Sequence, residues 1–172
     1  MSHERPERNE ASDYYWGYID QAPGDDVLAL LAAQRDEIAR LGSAVSEERS
    51  LHRYAPDKWS IREVLNHLND GERLFAFRAF WFARGFETPL PSFDQMVAAK
   101  AADAERTSWA AHLAEFQALR SATVDFFRGL PDAAWTRTGS ASDKRFSVRA
   151  IAWIIAGHTA HHLRVLRERY GL

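Results

Sequence analysis

Apolar residues recur every three or four positions in four long segments of this chain, and no other feature constrains its fold as strongly. Such a period places the apolar side chains on one face of an α-helix, which must be buried against another element. The segments cover residues 25–41, 60–85, 107–128 and 147–170. None alternates apolar and polar residues over a sustained run, so we expect no β-sheet. The pattern predicts an all-α protein, a four-helix bundle with long connections and a short extra helix.

Three of these helices begin at side chains that can cap them. Ser60 and Glu63 match a capping box, in which each side chain accepts a hydrogen bond from the backbone amide of the other residue. Asp25 or Asp26 can cap the first helix, and Ser147 can cap the last. These local signals predict where the helices begin without reference to the rest of the fold.

The length and the polarity of the chain predict a single folded domain with a free N-terminus. A chain of 172 residues can bury a substantial core in one domain. Residues 1–13 are polar and charged without an apolar period, so we predict a disordered tail there and one helical domain over residues 14–172. The apolar run Tyr14–Ile19 is expected to pack as an extended lead-in to the first helix.

Charge, hydropathy and cysteine content argue against several classes of protein. The 22 basic and 24 acidic residues are spread along the chain, without the basic stripe that neutralises phosphates, so no nucleic acid is expected as a partner. The longest apolar stretch, Ala150–Ala156, is far shorter than the ~20 residues of a membrane span. The N-terminal residues lack the apolar core of a secretory signal, so we predict a cytoplasmic protein. Because the chain has no cysteine, histidine and carboxylate side chains must hold any metal.

Three of the seven histidines fall within five residues of the last helical segment, at positions 158, 161 and 162. Residues four apart differ by about 40° around a helix, so His158 and His162 share a face and can hold one divalent transition metal. His161 points roughly 100° away from His162, so it could replace one of the pair but hardly complete a triad with both. The pair is half of a metal site, and the other half must come from elsewhere.

His67 is the remaining histidine that lies in the middle of a strongly amphipathic helix, between Leu65 and Leu68. If this helix packs beside the last one, His67 faces His158 and His162 across the bundle. Three neutral imidazoles with an open coordination position are typical of a catalytic metal site rather than a closed structural one. The alternative is a metal-free cluster of hydrogen-bonded core histidines.

Several motifs in fixed order make the chain similar to one known family. These are the segment Tyr54–Ser60, then His67, then Glu72 with Arg78, and finally the segment Gly157–His162. In this order they resemble the DinB-like (DinB/YfiT) superfamily of bacterial metal-binding four-helix bundles, over about Tyr18 to Tyr170. The resemblance implies a divalent metal, zinc or nickel, held by one histidine of the second helix and a His-x-x-x-His pair of the last. Mapped onto this sequence, the implied ligands are His67, His158 and His162.

The resemblance also implies a reaction class, because some members are thiol S-transferases that use low-molecular-weight bacterial thiols. We therefore predict a metal-dependent enzyme that transfers such a thiol to a small electrophile, with metal-assisted hydrolysis as the second reaction. The alternative is a non-catalytic bundle whose metal serves stability, sensing or partner binding. The aromatic residues on several faces of the His67 helix are compatible with a homodimer. No residue is identified as a general base.

Three polar residues downstream of His67 have competing interpretations. Asp70, at i+3, could accept the free N–H of the His67 imidazole, although a solvated helix face explains it equally well. Glu72 lies about 140° around the helix from His67, and a salt bridge with Arg78 or with an arginine of another helix is its favoured role. Arg78 lies near the face of His67 about three turns away and could bind an anionic group, but pairing with Glu72 or Asp70 is favoured.

Overall fold

Four long helices form a bundle, which confirms the predicted all-α architecture. The computed structural model describes residues 3–172. In chain order the helices are α1 (Asp13–Ile19), α2 (Val27–Ser43), α3 (Ile61–Ala83), α4 (Gln95–Ala102), α5 (Trp109–Arg128), α6 (Asp132–Trp135) and α7 (Val148–Tyr170). Single 3-10 turns lie at Arg8–Glu10, Arg49–Leu51 and Ala104–Arg106. No helix in the described part of the chain combines the length and apolarity needed to cross a membrane.

The order of the helices in space differs from their order in the chain. Helix α3 packs between α5 and α7, and α2 packs between the same two helices on the opposite side. Helices α3 and α7 are therefore neighbours, although α4, α5 and α6 separate them in the sequence. This adjacency brings the second long helix against the last one, as the three-histidine hypothesis requires.

The predicted caps at the starts of the long helices are present. The Ser60 hydroxyl accepts from the Glu63 amide at 3.2 Å, and the Glu63 carboxylate accepts from the Ser60 amide at 2.7 Å. The Ser147 hydroxyl accepts from the Ala150 amide at 2.9 Å. Asp26 rather than Asp25 caps α2. These contacts fix the first turns of α3 and α7 and so set the phase of the residues that follow.

The buried core is divided into two clusters by a layer of polar side chains. One cluster contains the N-terminal half of α7 and the C-terminal half of α3, with Trp153 and Phe82 among its members. The other contains the opposite halves, with Leu65 and Leu163. Buried polar residues lie between these clusters on both helices: His67, Asn69 and Glu72 on α3, and His158, Thr159 and His162 on α7.

A two-stranded hairpin precedes α7, where the sequence predicted no sheet. Strands β1 (Thr138–Ala141) and β2 (Lys144–Ser147) pair antiparallel around a turn at Ser142 and Asp143. Both turn residues have positive φ, 53° and 56°, as a tight two-residue hairpin turn requires. Strands of four residues that are held by backbone hydrogen bonds carry no sustained apolar alternation, which explains why the prediction was wrong.

The N-terminal residues pack on α7, whereas the sequence predicted a disordered tail over residues 1–13. The Trp153 indole donates to the Glu4 carbonyl at 3.1 Å, and the Arg5 guanidinium lies over the Trp153 ring at 4.5 Å. The Glu10 carboxylate accepts from Ser147 and from Arg149 at the start of α7. The Arg5 and Glu10 side chains of this segment thus contact the bundle, while Glu7 and Arg8 remain exposed. Residues 1 and 2 lie outside the described part.

The run Tyr14–Ile19, predicted to be extended, is part of helix α1. Trp16 and Ile19 are buried three residues apart on one face of this helix. Helix α1 lies very close to α7, because a Cβ on Gly157 would stand 2.0 Å from the Tyr18 carbonyl oxygen. Glycine at this position therefore allows the contact that places Tyr18 beside His158.

Candidate metal centre

Helices α3 and α7 bring three imidazoles together at one point. His67 Nε2 lies 2.9 Å from His158 Nε2. The ring centroids of His67, His158 and His162 are 4.7–4.9 Å apart in every pair. One ring nitrogen from each residue lies within 4.8 Å of the other two. The three residues proposed from the sequence as ligands thus form one cluster, which we call the three-histidine cluster.

The cluster is nearly closed to solvent, and burial keeps its imidazoles neutral. The exposed fractions are 7% for His67, 7% for His158 and 9% for His162. Loss of hydration is the main cause that lowers the pKa of His67 to about 4 and that of His162 to about 3, with neighbouring histidines adding to the effect. The same causes hold the pKa of His158 well below its usual range. Neutral imidazole is the form that binds a metal ion.

Two local features fit a bound divalent ion. His162 Nδ1 is buried without a hydrogen-bond partner, which costs about 1–3 kcal/mol in a protein interior. Next to the cluster, a Cβ on Gly71 would stand 2.9 Å from His158 Cε1. Any residue other than glycine would therefore displace this imidazole. Three neutral nitrogen donors without a carboxylate or thiolate suit zinc, nickel and similar transition metals. The donor set therefore fits a divalent transition metal.

The three-histidine cluster separates two cavities. His67 and His158 line a cavity of about 460 Å³ whose walls include Tyr18, Phe75 and Arg78. His162 lines a smaller cavity of about 260 Å³ on another side of the cluster, together with residues such as Tyr54, Lys58 and His161. A molecule in either cavity would lie against at least one of the three imidazoles.

A family model covers most of the chain, including this cluster. The model of the DinB superfamily matches residues 30–166, which contain His67, His158 and His162. The chain belongs to the DinB superfamily. No protein of curated function matches the sequence significantly.

Two solved structures share the fold at low sequence identity. YfiT from Bacillus subtilis, described as a probable metal-dependent hydrolase with an unusual four-helix bundle topology, is 19% identical with a TM-score of 0.68. That match covers 98% of this chain and 94% of YfiT. A mycothiol-dependent maleylpyruvate isomerase is 14% identical with a TM-score of 0.67, over 80% of this chain and 58% of the isomerase. These likenesses show that the DinB-superfamily chain has the same bundle fold.

Glu72 forms the ion pair that the sequence favoured, and its partner is an arginine of another helix. The Arg120 Nε and Nη2 atoms donate to the two Glu72 carboxylate oxygens, each at 2.9 Å, and Arg120 Nη2 also donates to Thr159 Oγ1 at 2.8 Å. Both charged side chains are buried. The pair is thus fixed beside the histidines, because Thr159 directly follows His158. Sequence reasoning missed Arg120, although its position four residues after the buried Phe116 was a signal of burial.

Asp70 and His161 do not join the three-histidine cluster. The Asp70 carboxylate accepts from Asn66 Nδ2 at 3.2 Å, and no hydrogen bond links it to His67. The proposed role of Asp70 as acceptor for that imidazole is therefore wrong, since its carboxylate points towards Asn66 one turn earlier. His161 packs its ring on Tyr18 and lies 3.3 Å from the Gln21 side-chain oxygen. It lines the smaller cavity, as its direction on the helix leads one to expect.

Arg78 departs from the sequence interpretation. The favoured pairing with Glu72 or Asp70 is not made, because Glu72 is bound by Arg120 and Asp70 lies on a different face of α3. Arg78 is buried in the wall of the larger cavity and donates to Ser142 in the hairpin turn at 2.9 Å. The hairpin that sequence reasoning missed is the element that reaches this side chain.

Proposed function

We propose that this protein is a divalent-metal-dependent enzyme that transfers a low-molecular-weight thiol to a small electrophile. The observation that supports it most is the convergence of three neutral, buried imidazoles within 4.8 Å at the junction of two cavities. Membership of the DinB superfamily agrees with a metal-dependent role. The mycothiol-dependent isomerase with the same fold agrees with a thiol as one substrate.

His67, His158 and His162 would hold the ion, zinc or nickel, and three ligands leave coordination positions open. An ion held there would lower the pKa of a bound thiol or water and would so supply a nucleophile at neutral pH. Packing holds the His158 imidazole in place, with Gly71 leaving room for it and Tyr18 packing on its ring at 5.4 Å. The chain contributes position and exclusion of water rather than a further acid.

The walls of the larger cavity suit a step from which water is excluded. Phe75 and Tyr18 both pack near His158, with ring centroids at 6.4 and 5.4 Å. Burial, with a contribution from Tyr14, raises the pKa of Tyr18, so its hydroxyl keeps its proton at neutral pH. Tyr18 can therefore donate a hydrogen bond to a substrate but cannot act as a base. Two cavities at one cluster favour a reaction of two organic substrates over one that needs a single substrate and water.

Hydrolysis is the second candidate, and the description of YfiT as a probable metal-dependent hydrolase favours it. The same three-histidine cluster would then supply an activated water. The two candidates differ in one respect that an assay can separate, since a transferase needs an added thiol and a hydrolase does not.

The deciding experiment uses zinc- and nickel-loaded protein with a panel of thiols, including mycothiol and glutathione, and 1-chloro-2,4-dinitrobenzene as electrophile. We expect product that requires both the thiol and the metal and that disappears in His158→Ala. His52→Ala is the matched control, because this exposed histidine lies outside the cluster. The proposal is rejected if chelation or His158→Ala leaves the rate unchanged. Turnover of ester substrates without thiol would favour the hydrolase, and a metal that only raises the melting temperature would favour a non-catalytic role.

A further inference from the structure

Arg78 is a buried cation in the wall of the larger cavity without a protein anion beside it. Arg78 is only 2% exposed. Its Nη2 donates to Ser142 Oγ at 2.9 Å and to the Pro91 carbonyl at 3.3 Å. Its Nε is buried without a hydrogen-bond partner. Within residues 3–172, no carboxylate lies within ion-pair distance of it. A buried charge in this state is costly unless something else pairs with it.

The other two buried arginines behave differently. Arg62 is paired with the Glu47 carboxylate, and Arg120 is paired with Glu72 through two hydrogen bonds. Both also donate to neutral oxygens around them, such as the Ser50 and Thr159 hydroxyls. A carboxylate therefore neutralises the guanidinium of both Arg62 and Arg120. Arg78, by contrast, lines the larger cavity.

The cavity joins Arg78 to the three-histidine cluster. Both Arg78 and His67 belong to α3, eleven residues apart, which places them on nearly the same face with roughly 16 Å of helix rise between their backbones. The Phe75 ring lies near both the guanidinium and the cluster, 5.7 Å from Arg78 Cζ and 6.4 Å from the His158 ring centroid. A molecule lying along Phe75 would thus have one end at the guanidinium and the other at the imidazoles.

One acidic residue, Asp94, lines the same cavity, but its carboxylate is already used. It caps α4 by accepting from the amides of Met96 and Val97 at 2.8 and 3.2 Å. This contact holds Asp94 at the start of its helix instead of on Arg78. Asp94 therefore leaves the Arg78 guanidinium without a neutralising carboxylate among residues 3–172.

We propose that Arg78 and the Ser142 hydroxyl bind a carboxylate of the substrate, whose reacting carbon lies towards His67 and His158. A guanidinium and a carboxylate form paired, charge-assisted hydrogen bonds, and Arg78 lines the cavity without an ion-pair partner among residues 3–172. The natural electrophile is therefore a small carboxylic acid, and 1-chloro-2,4-dinitrobenzene serves in the thiol-transfer assay only as a generic electrophile. That it is the substrate rests on the proposed function, but binding of the carboxylate at Arg78 does not depend on the metal.

The test measures binding to metal-free protein, so that a carboxylate cannot bind to an ion instead. Benzoate and propionate are titrated calorimetrically and compared with benzamide and propionamide, which have similar shapes without the charge. We expect at least one carboxylate to bind at least about tenfold more tightly than its amide, and Arg78→Gln to lose that difference. Arg84→Gln removes an exposed charge beyond the end of the same helix, outside the cavity, and should leave it unchanged.

A second readout covers the case in which Arg78→Gln fails to fold. In the wild type, one arginine Nε–H signal should shift on addition of the carboxylate and not of the amide, and Arg78→Lys should remove that signal. Equal affinity for acid and amide, no measurable binding of either acid, or unchanged binding in Arg78→Gln would overturn the subsite. Binding that appears only with metal present would also overturn it, because the carboxylate would then be a ligand of the ion. If the carboxylate does not bind at Arg78 but thiol transfer is observed, only the subsite is rejected. If the carboxylate binds but thiol transfer is absent, only the proposed reaction is rejected.

Discussion

Gly71 of α3 lies directly beneath the imidazole of His158 on α7, so close that a Cβ at position 71 would stand 2.9 Å from His158 Cε1. In a helix interior alanine is normally about 1 kcal/mol more favourable than glycine. The contact with the ring opposes that preference at this position. Glycine at position 71 therefore serves the position of the His158 imidazole rather than the stability of α3.

Gly71→Ala should weaken metal binding while the bundle still folds. The added methyl group must displace the imidazole, and we expect an affinity for zinc at least about tenfold lower, because ligand geometry tolerates little displacement. Gly17→Ala in α1 is the matched control, since nothing lies within 4 Å of a Cβ there. That variant should gain about 1 kcal/mol of unfolding free energy with unchanged zinc affinity. Equal zinc affinity in both variants would show that the close approach of Gly71 and His158 does not matter.

The metal-free protein should lose stability as the pH falls below about 6.5. The pKa values of His67 and His162 in the fold, about 4 and about 3, lie below the ordinary value of 6.5, so the unfolded chain binds more protons in this range. Their contribution is complete above pH 6.5 and declines as the pH drops, by up to about 1.4 kcal/mol per pH unit for each histidine. Urea unfolding at pH 7.5, 6 and 5 measures this decline in the free energy of unfolding. His67→Gln and His162→Gln should flatten the dependence, and exposed His52→Gln should not.

Breaking the buried pair of Glu72 and Arg120 should strongly destabilise the bundle. Glu72→Gln leaves the Arg120 guanidinium buried beside Thr159 without its anion, which costs about 3–5 kcal/mol. Asp125→Asn is the control, because the exposed pair of Asp125 and Arg128 contributes less than about 1 kcal/mol. Denaturant unfolding of both variants gives the comparison. Similar small losses in both would mean that the buried pair does not hold α3, α5 and α7 together.

Arg5→Ala should destabilise the protein, although Arg5 lies in the segment expected to be free. Its guanidinium lies over Trp153 and donates to the Ile19 and Gly24 carbonyls at 3.3 and 3.2 Å. We expect a loss of about 1–2 kcal/mol in unfolding free energy. Arg106→Ala, at a largely exposed arginine, should change it by less than about 0.5 kcal/mol. If Arg5→Ala changes the unfolding free energy as little as Arg106→Ala does, the N-terminal segment does not stabilise α7.

Features that are encoded by neighbouring residues could be predicted from the sequence, and features that depend on distant elements could not. The capping box of Ser60 and Glu63 and the spacing of His158 and His162 are local, so α3, α7 and the shared face of the two histidines followed directly. Prediction of the contact between His67 and that pair needed the family resemblance as well, because the residues of a helix do not encode which non-consecutive helix packs beside it.

The prediction for Arg78 was wrong for the same reason. Two carboxylates on its own helix, Glu72 and Asp70, looked like natural partners in the sequence. In the structure, Glu72 pairs with Arg120 of α5, and Arg78 donates a hydrogen bond to the turn residue Ser142. That turn belongs to a hairpin whose strands are too short to show alternation. Partners supplied by such an element cannot be read from periodicity.

Titration of zinc or nickel into untagged, metal-free protein shows whether His67, His158 and His162 hold one ion together. We expect one ion per chain, an affinity reduced by at least about a hundredfold when any one of the three is replaced by alanine, and an unchanged isotherm for His52→Ala. Absence of stoichiometric binding, or binding that survives in all three single variants, would show that the cluster is a metal-free part of the core.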